Sequence, residues 1–275
     1  MLNRELKRLS QLNELFKQKT PLGKLKIGFK IITRAPLDEC KDLFWLLNES
    51  LHSEKVKFSD ELKKTVMRAL NGEGVKLDVQ KSCYYAPDAK LALAFQLATG
   101  GHLGQKRKGM LERDYVHHVI MVWYYVALCG GSLDQQIAAL LHDYAEDVKD
   151  RSLSLKAIRT MICQLFGKKV ERLCFALKNK EGLSGKTPEK AAEKHAWQLN
   201  HLKLMDPEGQ LIKMCDRDSN KYDMHRDGPA SNNPQSICKE MHKRDEFAAV
   251  CHSLPPLVQS FSDYVDVLLR KKYCI

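Results

Sequence analysis

Apolar side chains recur at intervals of three and four along almost the whole chain, and no run of alternating β-branched residues breaks that rhythm. This spacing lines up one face of an α-helix, whereas a half-buried strand requires a period of two. The expected fold class is therefore all-α. A chain of 275 residues can bury a substantial core as one large domain or two small ones. Its 44% hydrophobic and 29% charged content is that of a globular protein, neither disordered nor fibrous.

Local signals divide the helices. Leu2, Leu6, Leu9, Leu12, Leu15 and Phe16 mark one side of a basic amphipathic helix, read as a packing element. Helical texture continues through Asp38 to Leu51 and Asp60 to Leu70, with Asn71-Gly72-Glu73-Gly74 as a break. Pro87 opens a helix to Thr99 that stops at Gly100-Gly101, and a Gly-rich basic loop runs from Gly101 to Gly109. Asp114 can cap a helix ending at Gly130-Gly131, and Ser132 with Gln135 forms a capping box for the next.

That helix carries Ile137, Leu140, Leu141, Tyr144 and Val148 at core spacing. Further helices are predicted from Ser154 to Phe166, from Thr187 to Met205 with Pro188 in the first turn, and around Leu211 to Tyr222. A loop spans Gly228 to Pro234, and two shorter helices lead to the basic Arg270-Lys271-Lys272. We read 1–80 as a helical N-terminal extension, 81–228 as the core and 229–275 as a helical C-terminal extension.

A formal charge of +11 attracts phosphate-bearing partners, either nucleic acid or a small polyphosphate. No zinc finger, RNP-like aromatic motif or basic-region heptad is present, which argues against nucleic acid. The longest apolar run, Val119 to Cys129, is far short of the roughly 20 residues a membrane helix needs, and the N-terminus lacks a signal-peptide pattern. Nine scattered cysteines without a C-x-x-C pair fit reduced, mostly buried thiols. A cytoplasmic location is expected.

The segment His142-Asp143-Tyr144-Ala145-Glu146-Asp147 sets ionisable groups on an otherwise apolar helix. Helical spacing brings His142 near Glu146, and Asp143 near Glu146 and Asp147. Three crowded carboxylates repel one another, and a borderline divalent ion such as manganese, iron or zinc would relieve that repulsion. A lone His-Asp pair on a helix is more often a satisfied hydrogen bond than a ligand pair. Two further residues bear on the choice: His118, across the tight Gly130-Gly131 connection, and Asp216 on a later helix with Asn220 one turn on. Such a set with one open position is what a hydrolytic metal requires, because the open position holds the attacking water.

Five motifs in order then resemble the hydrolase domain of the RelA/SpoT family within the HD superfamily. The loop Gly101 to Gly109, with Arg107-Lys108-Gly109, is similar to H-x-G-Q-x-R-K-x-G. Tyr115-Val116-His117-His118 resembles Y-I-x-H, which selects His118 over His117. Leu140-Leu141-His142-Asp143 and Glu146-Asp147 resemble L-L-H-D-x-x-E-D, and Ile212 to Asn220 resembles I-K-L-A-D-R-x-x-N. The match covers about 85–225. It departs at Val119, where the family has proline, at Val148, where it has threonine, and in a slightly longer loop before Tyr115.

The resemblance implies an HD-domain bundle that binds manganese(II) through His118, His142, Asp143 and Asp216. It implies removal of the 3′-pyrophosphate from guanosine 3′,5′-bis(diphosphate)-type alarmones. Glu146 and Asp147 would orient and activate water; Arg107, Lys108 and Asn220 would contact the nucleotide. The partner is then a small-molecule nucleotide. Two other readings stay open: an HD phosphohydrolase for another nucleotide or a phosphorylated dinucleotide cofactor, and a non-catalytic alarmone-binding module. His102, His117, Lys178 and Arg217 have no assigned role, and Trp123-Tyr124-Tyr125 is expected in the core.

Overall fold

A computed structural model describes residues 14–15, 17–51, 88–107, 113–147, 153–180, 187–227 and 234–273. Every regular element among them is helical, and β-type pairing is confined to a single bridge between Lys106 and Asp114. No helix there is long and apolar enough to cross a membrane, and the described cysteines are all free thiols.

The chain divides into two compact units, Met1–Ala89 and Lys90–Ile275. In the first, α1 (Pro21–Ile32) is capped by Thr20, whose side chain accepts from the Gly23 N–H. It packs on α2 (Cys40–Leu51). Leu25, Phe29 and Ile32 of α1 and Leu43, Phe44 and Leu47 of α2 are buried. Most of the expected first helix, and the segments from Asp60 to Leu70 and Asn71 to Gly74, lie outside the described residues.

The second unit holds α3 (Ala89–Gly101, entering from the boundary), α4 (Val116–Leu128), α5 (Leu133–Leu141) and α6 (Tyr144–Asp147). After these come α7 (Leu155–Phe166), α8 (Lys168–Leu177), α9 (Pro188–Leu204), α10 (Pro207–Asp227), α11 (Pro234–Ala249) and α12 (Pro256–Tyr273). Residues 229–275, expected as an extension, belong to this unit.

At its centre lies α4, buried continuously from Val116 to Val126, including Trp123, Tyr124 and Tyr125. A helix apolar on all sides must be surrounded, and α4 packs against α5 and α10. The turn into α5 is tight. Gly130 has φ +79, a left-handed conformation that glycine adopts without strain, and a Cβ on Gly131 would meet Val126 Cγ1 at 2.5 Å. Ser132 and Gln135 then close the expected capping box.

Two expectations require correction. Asp114 does not cap α4: its carboxylate takes Lys106 Nζ at 2.6 Å, and α4 starts at Val116 without a side-chain cap. The helix through His142 is also not continuous. His142 Nδ1 bonds the carbonyl of Ala139 at 2.7 Å, the acceptor a continuing helix would offer to Asp143. The helix therefore pauses at His142-Asp143 and resumes at Tyr144. Helix α8, which sequence periodicity left unassigned, follows α7 directly through Gly167, at φ +97.

α10 packs on α4, α5, α8, α11 and α12. Its Asp218 is fully buried and accepts from Arg244 Nε at 2.9 Å and Tyr125 Oη at 3.2 Å. Arg244 also donates to Val258 O at 3.2 Å and Gln259 Oε1 at 3.0 Å. One buried ion pair therefore ties α4, α10, α11 and α12 together. Removing one partner of such a pair strands the other charge, so Arg244→Met is expected to destabilise the protein by about 3–5 kcal/mol. Urea denaturation followed by circular dichroism checks this; a loss under about 1 kcal/mol would contradict the bracing role.

Candidate metal centre

Three segments bring four candidate ligands to one point. The first turn of α4 supplies His118, the pause after α5 supplies His142 and Asp143, and the middle of α10 supplies Asp216. His118 Nε2 is 3.2 Å from Asp216 Oδ1 and 3.7 Å from Asp143 Oδ2. His142 Nε2 is 2.8 Å from Asp143 Oδ2 and 3.8 Å from Asp216 Oδ1. Ligands about 2.1 Å from an ion at right-angled to tetrahedral spacing lie roughly 3.0–3.4 Å apart; the four gaps, from 2.8 to 3.8 Å, bracket that range.

The donor set also fits an ion chemically. Ligand atoms of His118, His142 and Asp143 lie within 4.8 Å of one another. Both ring nitrogens of His118 and the Nε2 of His142 are buried without a hydrogen-bond partner among the described residues. Buried polar atoms are almost always satisfied; a cation placed where the two Nε2 atoms and the carboxylates converge would supply the partner that those Nε2 atoms lack.

Supporting contacts orient the ligands. Tyr115 Oη donates to Asp143 Oδ2 at 2.6 Å. Asn220 Nδ2 donates to Asp216 Oδ1 at 2.6 Å, and Lys213 Nζ reaches Asp216 Oδ2 at 3.1 Å. His142 Nδ1, bound to Ala139 O, leaves Nε2 aimed at the cluster. Hydrogen bonds of this type hold a ligand's orientation and basicity.

Burial opposes charge at every member, and the neighbours decide the outcome. It lowers the His118 pKa, and nearby Arg107 adds to that, which leaves a neutral ring suited to ligation. Burial would also discharge His142, yet Asp143 and Asp216 overcome it and lift its pKa to about 9. For Asp143, burial is outweighed by His142, which holds the carboxyl below the usual carboxylate range. For Asp216 it is outweighed by Lys213 and the two histidines, with the same result. Without an ion, a proton on His142 supplies the positive charge.

Of the other residues singled out in the sequence, Asn220 and Arg107 reach the cluster together. Arg107 donates to Asn220 Oδ1 and, at 3.1 Å, to Asp223 Oδ2, and lies over the Tyr115 ring at 4.9 Å from its centroid. Backbone bonds from Arg107 N to Arg113 O (2.7 Å) and from Tyr115 N to Gln105 O (2.9 Å) hold the two strands of this loop together. Lys108 lies outside the described residues, as does the Asp147 side chain. Glu146 does not share the ligand cluster: its carboxylate accepts from the backbone N–H of Asn179 and from Asn179 Nδ2 at 3.1 Å.

Reading the sequence alone did not identify Tyr115 as a hydroxyl donor, nor Asp223, Lys213 and Asn179. Asp223 carries a signal, since it lies one turn beyond Asn220 and two beyond Asp216 on one helix face. Asn179 carries none; only the fold brings it to Glu146.

The architecture is thus an all-α bundle. No protein-family model and no curated protein matches the chain. In structure it is similar to a solved protein described as a metazoan ortholog of SpoT that hydrolyzes ppGpp and plays a role in starvation responses. The TM-score is 0.55 at 23% identity, over 70% of this chain and 99% of that one.

A divalent ion entering this cluster must displace the His142 proton. Its apparent affinity should rise about tenfold per pH unit on the acid side of the His142 pKa and level off above about pH 9. The metal-free fold behaves oppositely. His142 is more basic folded than unfolded, so its stabilising contribution is full below the ordinary histidine pKa, near 6.5, and lost as pH rises through about 9. Calorimetric metal titrations between pH 6 and 9 test the first trend; a pH-independent affinity would contradict proton displacement.

Proposed function

We propose that the protein is a metal-dependent phosphohydrolase that removes the 3′-pyrophosphate from guanosine 3′,5′-bis(diphosphate)-type alarmones. The observation that carries this reading is the convergence of His118, His142, Asp143 and Asp216, with buried imidazole nitrogens lacking any partner among the described residues. Similarity of fold to a ppGpp-hydrolysing protein supports the substrate class. The ordered motifs between 85 and 225 support it from the sequence side.

His118, His142, Asp143 and Asp216 would hold manganese(II). When bound, the ion supplies Lewis acidity for phosphoryl chemistry and acidifies a water. Glu146 and Asp147 orient that water and manage its proton. Asn179 donates to both carboxylate oxygens of Glu146 and fixes its orientation. Water adds to the phosphorus on the 3′ oxygen, the P–O3′ bond opens, and the released oxygen takes a proton. The products are GDP and pyrophosphate. Arg107, Lys108 and Asn220 contact the nucleotide, and the setting is cytoplasmic.

A second reading has one observation in its favour. Arg107, assigned to the nucleotide, is engaged by Asp223 and Asn220, which suits a substrate with a different base or phosphate placement, such as a phosphorylated dinucleotide cofactor.

Incubation with manganese and ppGpp is expected to release GDP and pyrophosphate in equal amounts. Glu146→Gln is expected to lower kcat by about 10²-fold or more while metal content stays at the wild-type level. Release of orthophosphate alone, or no turnover, would count against the alarmone substrate. Turnover of a dinucleotide cofactor in place of ppGpp would favour the second reading.

A further inference from the structure

The cleft beside the metal cluster carries a cation that the chemistry above does not use. Lys213, Arg217 and Lys221 follow one another at four-residue spacing along one side of α10. All three line a cavity of about 280 Å³ whose wall also includes Asp143 and Asp216.

Most charges in that wall are already balanced. Lys213 pairs with Asp216 Oδ2 at 3.1 Å, and Lys221 pairs with Asp266 Oδ1 at 2.7 Å while donating to Ser262 Oγ at 2.6 Å. Arg244 is held by Asp218 at 2.9 Å. Glu240, the acid facing this side of the cleft, is taken by Lys243 at 2.7 Å.

Arg217 has no carboxylate within ion-pair range among the described residues. Its guanidinium lies over the Phe247 ring, 3.4 Å from the centroid, and donates to Gln198 Oε1 at 3.3 Å. Its Nε is buried without an acceptor among the described residues. Gln198 is fixed in turn by donating to Asn179 Oδ1 at 2.7 Å. The ring and the amide hold the guanidinium in place with donors to spare. A buried charge in that condition is costly until an anion meets it.

We propose that Arg217, steadied by Phe247 and Gln198, docks a second phosphate group of the substrate, distinct from the phosphate under attack. This rests on reading the cluster as a phosphohydrolase centre, and it narrows the substrate to nucleotides with at least two phosphate groups within reach of one cleft. The planar fork of a guanidinium matches two phosphate oxygens at once. A nucleoside monophosphate leaves Arg217 unmatched, and a site built to bind a polar group discriminates against an analogue lacking it.

Inorganic pyrophosphate is the probe. Titrated into the manganese-loaded full-length protein, it should bind Arg217→Met about 10- to 100-fold more weakly than wild type, at unchanged metal content by elemental analysis. Arg217→Lys keeps the charge without the fork, should bind with intermediate affinity, and carries the test if the methionine variant does not fold. Pyrophosphate should also inhibit ppGpp hydrolysis competitively. Equal affinity in wild type and both variants, no binding to wild type, or non-competitive inhibition overturns the docking role. Arg217-dependent pyrophosphate binding without turnover of any nucleotide leaves the anion site standing and removes the phosphohydrolase reading instead.

Discussion

Two carboxylates, Asp143 and Asp216, are held close together beside two buried imidazoles, and the rest of the second unit is arranged around that electrostatic problem. Like charges in a poorly hydrated site repel strongly. His142, 2.8 Å from Asp143, and Lys213, 3.1 Å from Asp216, favour the ionised form of both acids, and the neutral His118 ring lies 3.2 Å from Asp216. A proton on His142 completes the balance, and a divalent cation would be an alternative way to do so.

The demands of that cluster explain the unusual character of α10. A helix this deeply packed is ordinarily apolar, yet α10 carries Lys213, Asp216, Arg217, Asp218, Asn220, Lys221 and Asp223. Three sides divide the polar work. Asp216, Asn220 and Asp223 serve the ligand cluster and Arg107. Asp218 anchors Arg244 and Tyr125. Lys213, Arg217 and Lys221 line the cleft. Buried charge is tolerable only when paired, so the partners on α4, α11 and α12 are part of the site although they lie outside its ligand set. This also makes the last two helices part of the unit that holds the site.

Much of the site is legible from residue order, because a metal centre requires particular donors and these stand in short motifs. His118, His142, Asp143 and Asp216 are each identifiable from local pattern and resemblance, and the structure brings all four together. Capping chemistry is similarly local: Ser132 with Gln135 and Thr187 with Pro188 mark helix starts that the structure contains. Local inference fails where a side chain finds a distant partner. Asp114 turns to Lys106 and gives up the cap, the His142 ring takes the carbonyl that helix continuity needed, and Glu146 is held by Asn179. Each is a competition between a short-range and a long-range partner, and the winner depends on what the fold brings near.

The sequence by itself determined the helical class, several of the helix boundaries in the second unit and the donor types of the candidate metal centre, because period, caps and ligand chemistry act within a few residues. Only the tertiary structure decided that the four candidate donors converge at gaps of 2.8–3.8 Å, that Asp223 engages Arg107, and that Arg217 lines the cleft without a carboxylate partner among the described residues. The physical reason is the same in each case. Pairing energies in a poorly hydrated interior depend on separations of a few ångströms between groups far apart in the chain, and residue order does not encode those separations.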